Sequence, residues 1–216
     1  MLQKPDPRFL AITAHDLRGA VGVLDGAMKE LTREVSADNA DAAKLTLMMT
    51  RSTQRLLLLG DRLSVLARLM DSAELELGEP TDLSALVKDA VARAFSAHAR
   101  RTLRLHVEAP PAPVLWPLNG QTMSGAISEL SILFCSFSQS ELTIRISSDP
   151  STARVSFESD NASESVQRAL RDRMSTTQAN AGIALAEAVL ARHHGKLQLF
   201  ENDGSNAGLN LILQRA

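Results

Sequence analysis

Two long stretches of this chain repeat an apolar residue in alternating steps of four and three, the spacing of helices in a left-handed bundle. In the first stretch the positions are Leu10, Ala14, Leu17, Val21, Leu24, Met28, Leu31 and Val35. In the second they are Leu45, Met49, Ser52, Leu56, Leu59, Leu63, Leu66 and Met70, with Ser52 the one polar residue in the seam. The pattern predicts helices over residues 7–36 and 41–72, the first opened by Asp6-Pro7, with proline at its first helical position. The polar link Ser36-Ala37-Asp38-Asn39-Ala40-Asp41 is short enough to make them an antiparallel hairpin. Ile12, Val23, Leu47, Met48, Leu57 and Leu58 widen each stripe beyond what a two-helix contact covers. Either a second copy covers the excess, giving a four-helix homodimer, or the rest of the chain does; the homodimer is the expectation.

Beyond the hairpin, Leu77-Gly78-Glu79-Pro80 reads as a break, dividing the chain into residues 1–77 and 78–216. Thr81-Asp82-Leu83 opens a helix to about residue 99, and residues 120–137 form another, largely buried. Alternating runs at 103–107, 142–146, 153–157, 196–200 and 209–213 read as strands. Residues 163–173 read as a short helix or a mobile segment, and residues 181–193 as a helix ended by Gly195. The second half is therefore an antiparallel or mixed sheet with helices on one face, and the chain as a whole is α+β.

Several function classes are excluded. A net charge of −2 and 3% aromatic residues, with no tyrosine, argue against nucleic acid. The single cysteine, Cys135, rules out an internal disulfide and a cysteine zinc cluster, and its neighbours Leu133 and Phe134 suggest a buried thiol. The N-terminal residues have no apolar core of a signal peptide, and no run approaches the ~20 apolar residues of a membrane span. A cytoplasmic protein with no membrane partner is expected. His193-His194 is not a metal pair, because adjacent helical residues diverge; a cation at a helix end fits better. Trp116, between proline-rich segments, reads as core rather than a ligand platform.

One histidine stands out. His15 lies one residue off the first seam, within Ala14-His15-Asp16-Leu17-Arg18-Gly19, at the rim of the expected bundle. Arg18 and Gly19 follow at three and four positions, on the same helical face. Gly19, Gly22 and Gly26 strip bulk from the helix just past the histidine. Each costs about 1 kcal/mol of helix stability against alanine, which suggests close approach by another backbone, so Gly19 and Gly22 are candidate partner-binding positions.

Phe9-Leu10-Ala11-Ile12-Thr13-Ala14-His15-Asp16-Leu17-Arg18-Gly19 resembles the phosphoacceptor box of sensor histidine kinases. The hairpin resembles their dimerisation and phosphotransfer domain, and residues 81–214 resemble their ATP-binding lobe. The resemblance implies His15 as phosphoacceptor and Asp16 as the carboxylate that fixes its tautomer. Arg18 is then a candidate contact for the phosphoryl group or for acidic receiver residues, or else a solvated charge or internal salt bridge. Where such kinases carry a magnesium-binding asparagine, this chain has Leu133, with Glu129 at an acidic position seen in the wider ATPase superfamily. The adenine-side glycine box becomes Ser159-Asp160-Asn161-Ala162-Ser163, and the second keeps one glycine of two in Gly182-Ile183-Ala184-Leu185-Ala186. Leucine supplies no oxygen ligand, and phosphate-cradling loops need glycine. The lobe therefore reads as a retained fold, a pseudokinase with ATP binding lost.

A dimeric hairpin with an acceptor histidine and a degenerate lobe is similar to the ChpT-type histidine phosphotransferases, although their box continues with proline where this chain has Ala20. That resemblance implies a phosphorelay: a phosphoryl group passes from a receiver-domain aspartate to His15 and on to another receiver. No resident cofactor is expected, magnesium arriving with the receiver. Bifunctional kinases often carry threonine or asparagine where Gly19 stands, so phosphatase activity is not expected. The alternatives are an ATP-dependent kinase core with atypical nucleotide boxes and a non-catalytic dimeric adaptor for response regulators.

Overall fold

The computed structural model describes residues 7–34, 40–70, 79–98, 102–138, 140–159, 178–202 and 206–215. The expected break at 77/78, most of the link after the first helix, and the segment 163–173 lie outside these residues. The chain divides into two compact units: Met1–Ala73 with Ser96–His98, and Glu74–Phe95 with Ala99–Ala216.

The first unit is the expected hairpin, α1 (Pro7–Glu34) and α2 (Ala40–Met70). At 1.5 Å per residue they run for roughly 42 and 46 Å. On α1, Ala14, Val21 and Met28 stand seven apart and are buried. On α2, the buried positions seven apart are Thr46, Thr53, Gly60 and Ala67. These small residues let the helices close up. The threonines are tolerated because each hydroxyl donates to a carbonyl of its own helix, Thr46 to Ala42 at 2.8 Å and Thr53 to Met49 at 3.0 Å. The leucine-rich stripe of α2 lies on a different flank. Leu45, Met49, Leu56, Leu59 and Leu66 stay exposed in the single chain, as do Leu24 and Leu31 of α1.

The second unit opens with a short strand where only a helix start was expected. β1 (Pro80–Asp82) pairs antiparallel with β3 (Leu115–Pro117). The Asp82 carboxylate accepts from the Ser84 amide at 2.9 Å at the start of α3 (Leu83–His98) and from the Val114 amide at 3.3 Å. One residue thus caps a helix and holds the strand pair. Trp116 is buried in β3, as expected of a core residue, with the Arg215 guanidinium 4.9 Å from its ring centre.

The main sheet comprises β2 (Arg104–Glu108), β4 (Glu141–Ser148), β5 (Thr152–Ser159), β6 (Gly195–Asn202) and β7 (Asn206–Gln214). Its order is β2-β4-β5-β7-β6; only β2 and β4 run parallel, so the sheet is mixed. Period-two alternation puts Ile144, Phe157 and Leu209 in one buried cross-strand row and Ile146, Val155 and Leu211 in the next. The helices α4 (Gly120–Phe137) and α5 (Gln178–Arg192) pack on each other, α4 on β5 and α5 on β6. Phe134 stacks on Phe157 with centroids 5.4 Å apart. Cys135 is buried, and burial pushes its thiol up to about 12, which makes it inert at neutral pH.

Two expectations at the end of α5 are corrected. His193 is not a helix-end cation. It is buried, its Nδ1 stands 2.8 Å from the Val189 carbonyl, and its Nε2 accepts from the Asn119 amide at 3.0 Å. An accepting ring nitrogen is unprotonated, and burial together with the neighbouring His194 lowers the imidazole below its ordinary value. Nor does Gly195 supply the left-handed turn. His194 takes that conformation, with φ of 52°. Gly195 is required because a Cβ there would lie 2.7 Å from the Ile212 carbonyl oxygen in β7.

Candidate functional site

The heptad rhythm buries Ala14, so the next residue, one step of about 100° around the helix, must leave the seam. His15 is accordingly exposed on α1. Gly19, Gly22 and Gly26 are exposed too. With His15 they follow a 4-3-4 spacing and define one flank of α1. Leu17, Leu24 and Leu31 define the opposite flank, about 170° away at 100° per residue.

A Cβ placed on Gly19, Gly22 or Gly26 would meet nothing within 4 Å. The close backbone approach expected at Gly19 and Gly22 is therefore not made among the described residues. The tight approach is at Gly60 of α2, where a Cβ would stand 3.2 Å from Arg18 Cγ, 3.6 Å from the Ala14 carbonyl oxygen and 3.7 Å from Leu17 Cδ2.

Arg18 turns across the hairpin rather than out to solvent. Its Nε donates to Asp61 Oδ1 at 2.8 Å and its Nη2 to Ser64 Oγ at 2.7 Å. Ser64 in turn donates to the Gly60 carbonyl at 3.1 Å. The Arg18 and Asp61 side chains remain 34% and 39% exposed, so the pair is half-open to water. Of the alternatives weighed for Arg18, the internal salt bridge is thus formed, and any contact with a phosphoryl group has to be made from that seat. The Asp16 side chain lies outside the described residues. Gly60, Asp61 and Ser64 were missed in the sequence. The available signal was Gly60 itself, a glycine directly after the run Leu56-Leu57-Leu58-Leu59, where it weakens a helix that has no turn to make.

In the lobe, the position that the resemblance assigns to the magnesium ligand is filled by Leu133, 4% exposed. Glu129, one turn earlier on α4, is 5% exposed, and its Oε2 lies 2.8 Å from where a Cβ on Gly182 would stand. Gly182 thus makes room for a buried carboxylate of the same lobe. The position assigned to the magnesium ligand thus offers no oxygen: it is apolar and closed. Most of the box over 159–163 lies outside the described residues. Among those described, no group of three or more His, Cys, Asp or Glu is placed to hold a metal ion.

Solved structures share this fold. The ShkA structure, described as full-length and in complex with AMPPNP, aligns over 98% of this chain and 47% of its own length, with a TM-score of 0.56 and 19% identity. The Acinetobacter baumannii histidine kinase AdeS aligns over 93% of this chain and 97% of its own, with a TM-score of 0.54 and 17% identity. A histidine kinase from Burkholderia phymatum gives 94% and 98%, a TM-score of 0.53 and 16% identity. The fold is that of a histidine kinase core. In sequence, the probable sensor histidine kinase TcrY of Mycobacterium tuberculosis is 31% identical over 123 residues, 57% of this chain. The chain spans a quarter of the length of that curated relative. No protein-family model matches the chain. Among the described residues, no helix of this histidine-kinase-like chain is long and apolar enough to cross a membrane.

Proposed function

We propose that the chain is a histidine phosphotransferase, homodimeric through its hairpin, that relays a phosphoryl group between receiver-domain aspartates through His15. The observation that carries this reading is the separation of the two open flanks of α1. A second copy packed on the Leu24 and Leu31 flank and on the stripe Leu45, Met49, Leu56 and Leu59 would bury these six exposed residues of the hairpin. It would leave His15, on the other flank, open to a visiting receiver. The closed, apolar Leu133 position supports a donor other than ATP.

The chemistry asks little of the protein beyond placement. An unprotonated ring nitrogen of His15 attacks the phosphorus of the receiver's acyl phosphate in line. The N–P bond forms as the P–O bond breaks, and the electron pair of that bond stays on the receiver carboxylate. The other ring nitrogen keeps its proton, and the same steps in reverse deliver the phosphoryl group to a second receiver. Asp16 is the neighbour proposed to fix the tautomer.

The test is incubation with a phosphorylated receiver, with ATP alone as the control. Acid-labile label should appear on the wild-type chain, be absent from His15→Ala and fail to form from ATP. Label that survives His15→Ala would defeat the proposal. The similarity to TcrY favours a second reading, an ATP-dependent kinase core, and autophosphorylation from ATP would establish it. Receiver binding that survives His15→Ala, with no label under any donor, would instead mark a non-catalytic adaptor.

A further inference from the structure

We infer that Asp61 and Ser64 are positioning residues that set Arg18 beside His15 as the cation that meets the transferred phosphoryl group, an inference resting on the phosphoacceptor reading above. Arg18 stands three residues after His15, on the same face of α1, where side chains are roughly 5–6 Å apart at Cβ. A long arginine on an exposed helix face has many rotamers, and ordering it costs entropy. Here three features of α2 remove that freedom. Gly60 presents no side chain, so the Arg18 stem lies across the helix, with its Cγ 3.2 Å from where a Cβ would be. The Asp61 carboxylate takes Nε at 2.8 Å, and the Ser64 hydroxyl takes Nη2 at 2.7 Å. Ser64 is itself oriented by its bond to the Gly60 carbonyl.

A guanidinium has five N–H donors in one plane, and the seat engages two of them. The fork is held while its remaining donors suit the oxygens of a dianionic phosphoryl group. Asp61 thus serves a purpose beyond joining two helices. An ion pair that is more than a third exposed adds little to stability. As a device for placing a charge it loses nothing by being open, since openness is what lets the phosphoryl group reach the guanidinium.

The experiment uses the full chain and potassium phosphoramidate, a small donor that needs no partner protein. The His15 lone pair displaces ammonia from phosphorus, the N–P bond to His15 forming as the donor's P–N bond breaks and the amine leaves with a proton. The rate of label and the 31P titration of the phosphohistidine are followed for wild type, Asp61→Asn, Asp61→Glu, Ser64→Ala, Arg18→Ala and Arg18→Ala/Asp61→Asn. Circular dichroism checks that each variant is folded.

Asp61→Asn is expected to slow labelling about tenfold, the scale of one misplaced charge-assisted donor. Asp61→Glu should recover part of the rate, Ser64→Ala should fall between, and the double variant should be no slower than Arg18→Ala. The titration decides between positioning and bare electrostatics. Removing a negative charge nearby would by itself lower the phosphoryl ionisation midpoint, whereas releasing Arg18 raises it toward the value of Arg18→Ala. A midpoint that rises in Asp61→Asn supports the inference. A midpoint unchanged or lowered, or a double variant slower than Arg18→Ala, overturns it while leaving His15 as acceptor. No label on folded wild type from phosphoramidate or from a phosphorylated receiver overturns the phosphoacceptor reading and this inference together.

Discussion

Gly19, Gly22 and Gly26 make the case at the scale of single residues. Each sits in a helix with open space where a Cβ would go, so alanine there meets no clash and gains helix propensity. Gly19→Ala and Gly22→Ala should each stabilise the hairpin by about 0.5–1 kcal/mol, read as a rise in denaturation midpoint. If the glycines serve receiver docking, the same substitutions should slow transfer from a phosphorylated receiver while leaving labelling by phosphoramidate unchanged. Faster transfer, or no change in it, would return the glycines to mere tolerance. The residue-scale reading of the sequence singled out His15 and Arg18 as candidates because they fall on one helical face within a box of eleven residues. It missed Asp61, because the partner lies 43 positions away and no short-range rule reaches that far. It also misassigned His193, whose role depends on Asn119, 74 positions earlier. A buried, neutral imidazole and a helix-end cation have the same local sequence.

At the scale of elements, the heptads showed that α1 and α2 exist and where they run. The stripe on α2 with the most leucine is not the one that closes the hairpin. Thr46, Thr53, Gly60 and Ala67 do that, and they are inconspicuous in the sequence because small and hydroxylated residues do not register as an apolar stripe. Helix contacts select for close approach as well as hydrophobicity. The expectation that one hairpin cannot bury both stripes is met in the single chain, where Leu45 is 60% and Met49 52% exposed. The missed strand β1 has the opposite cause: three residues including a proline carry no period to read. The proposed dimer then gives a sharp prediction. Met49→Lys with Leu56→Lys leaves the intra-hairpin seam untouched and places four lysines in a two-fold interface. It should weaken dimerisation by at least ~100-fold, since burying one such side chain contributes about 1.5–3 kcal/mol. Sedimentation should then show a monomer at micromolar concentration that keeps its helical circular dichroism. A persistent dimer would place the interface elsewhere.

For the whole molecule, the two units rest on different physics, and their unfolding should separate accordingly. The hairpin unit leaves much of its apolar surface uncovered, so its stability should depend on association and rise with protein concentration. The lobe encloses its own core between α4, α5 and the sheet, and its stability should not depend on concentration. It carries a dependence on pH of its own, through His193. Burial, followed by the neighbouring His194, depresses that imidazole in the folded state, so the unfolded chain takes up a proton first as acid is added. The lobe should therefore hold its full stability above about pH 6.5, the unfolded value, and lose it as the pH falls from there toward the depressed folded value. The geometry gives the same sign, because a proton on Nε2 would face the Asn119 amide that now donates to it at the head of α4. Calorimetry should resolve two transitions. The first should move with concentration and fall sharply in the Met49→Lys/Leu56→Lys variant. The second should be insensitive to both, and its midpoint should drop between pH 7 and pH 5. His193→Gln, whose amide oxygen can still accept from Asn119, should flatten that drop while leaving the concentration-dependent transition in place. A single transition sensitive to both variables would mean that the units fold as one. A pH dependence unchanged in His193→Gln would place the acid-sensitive group elsewhere in the lobe.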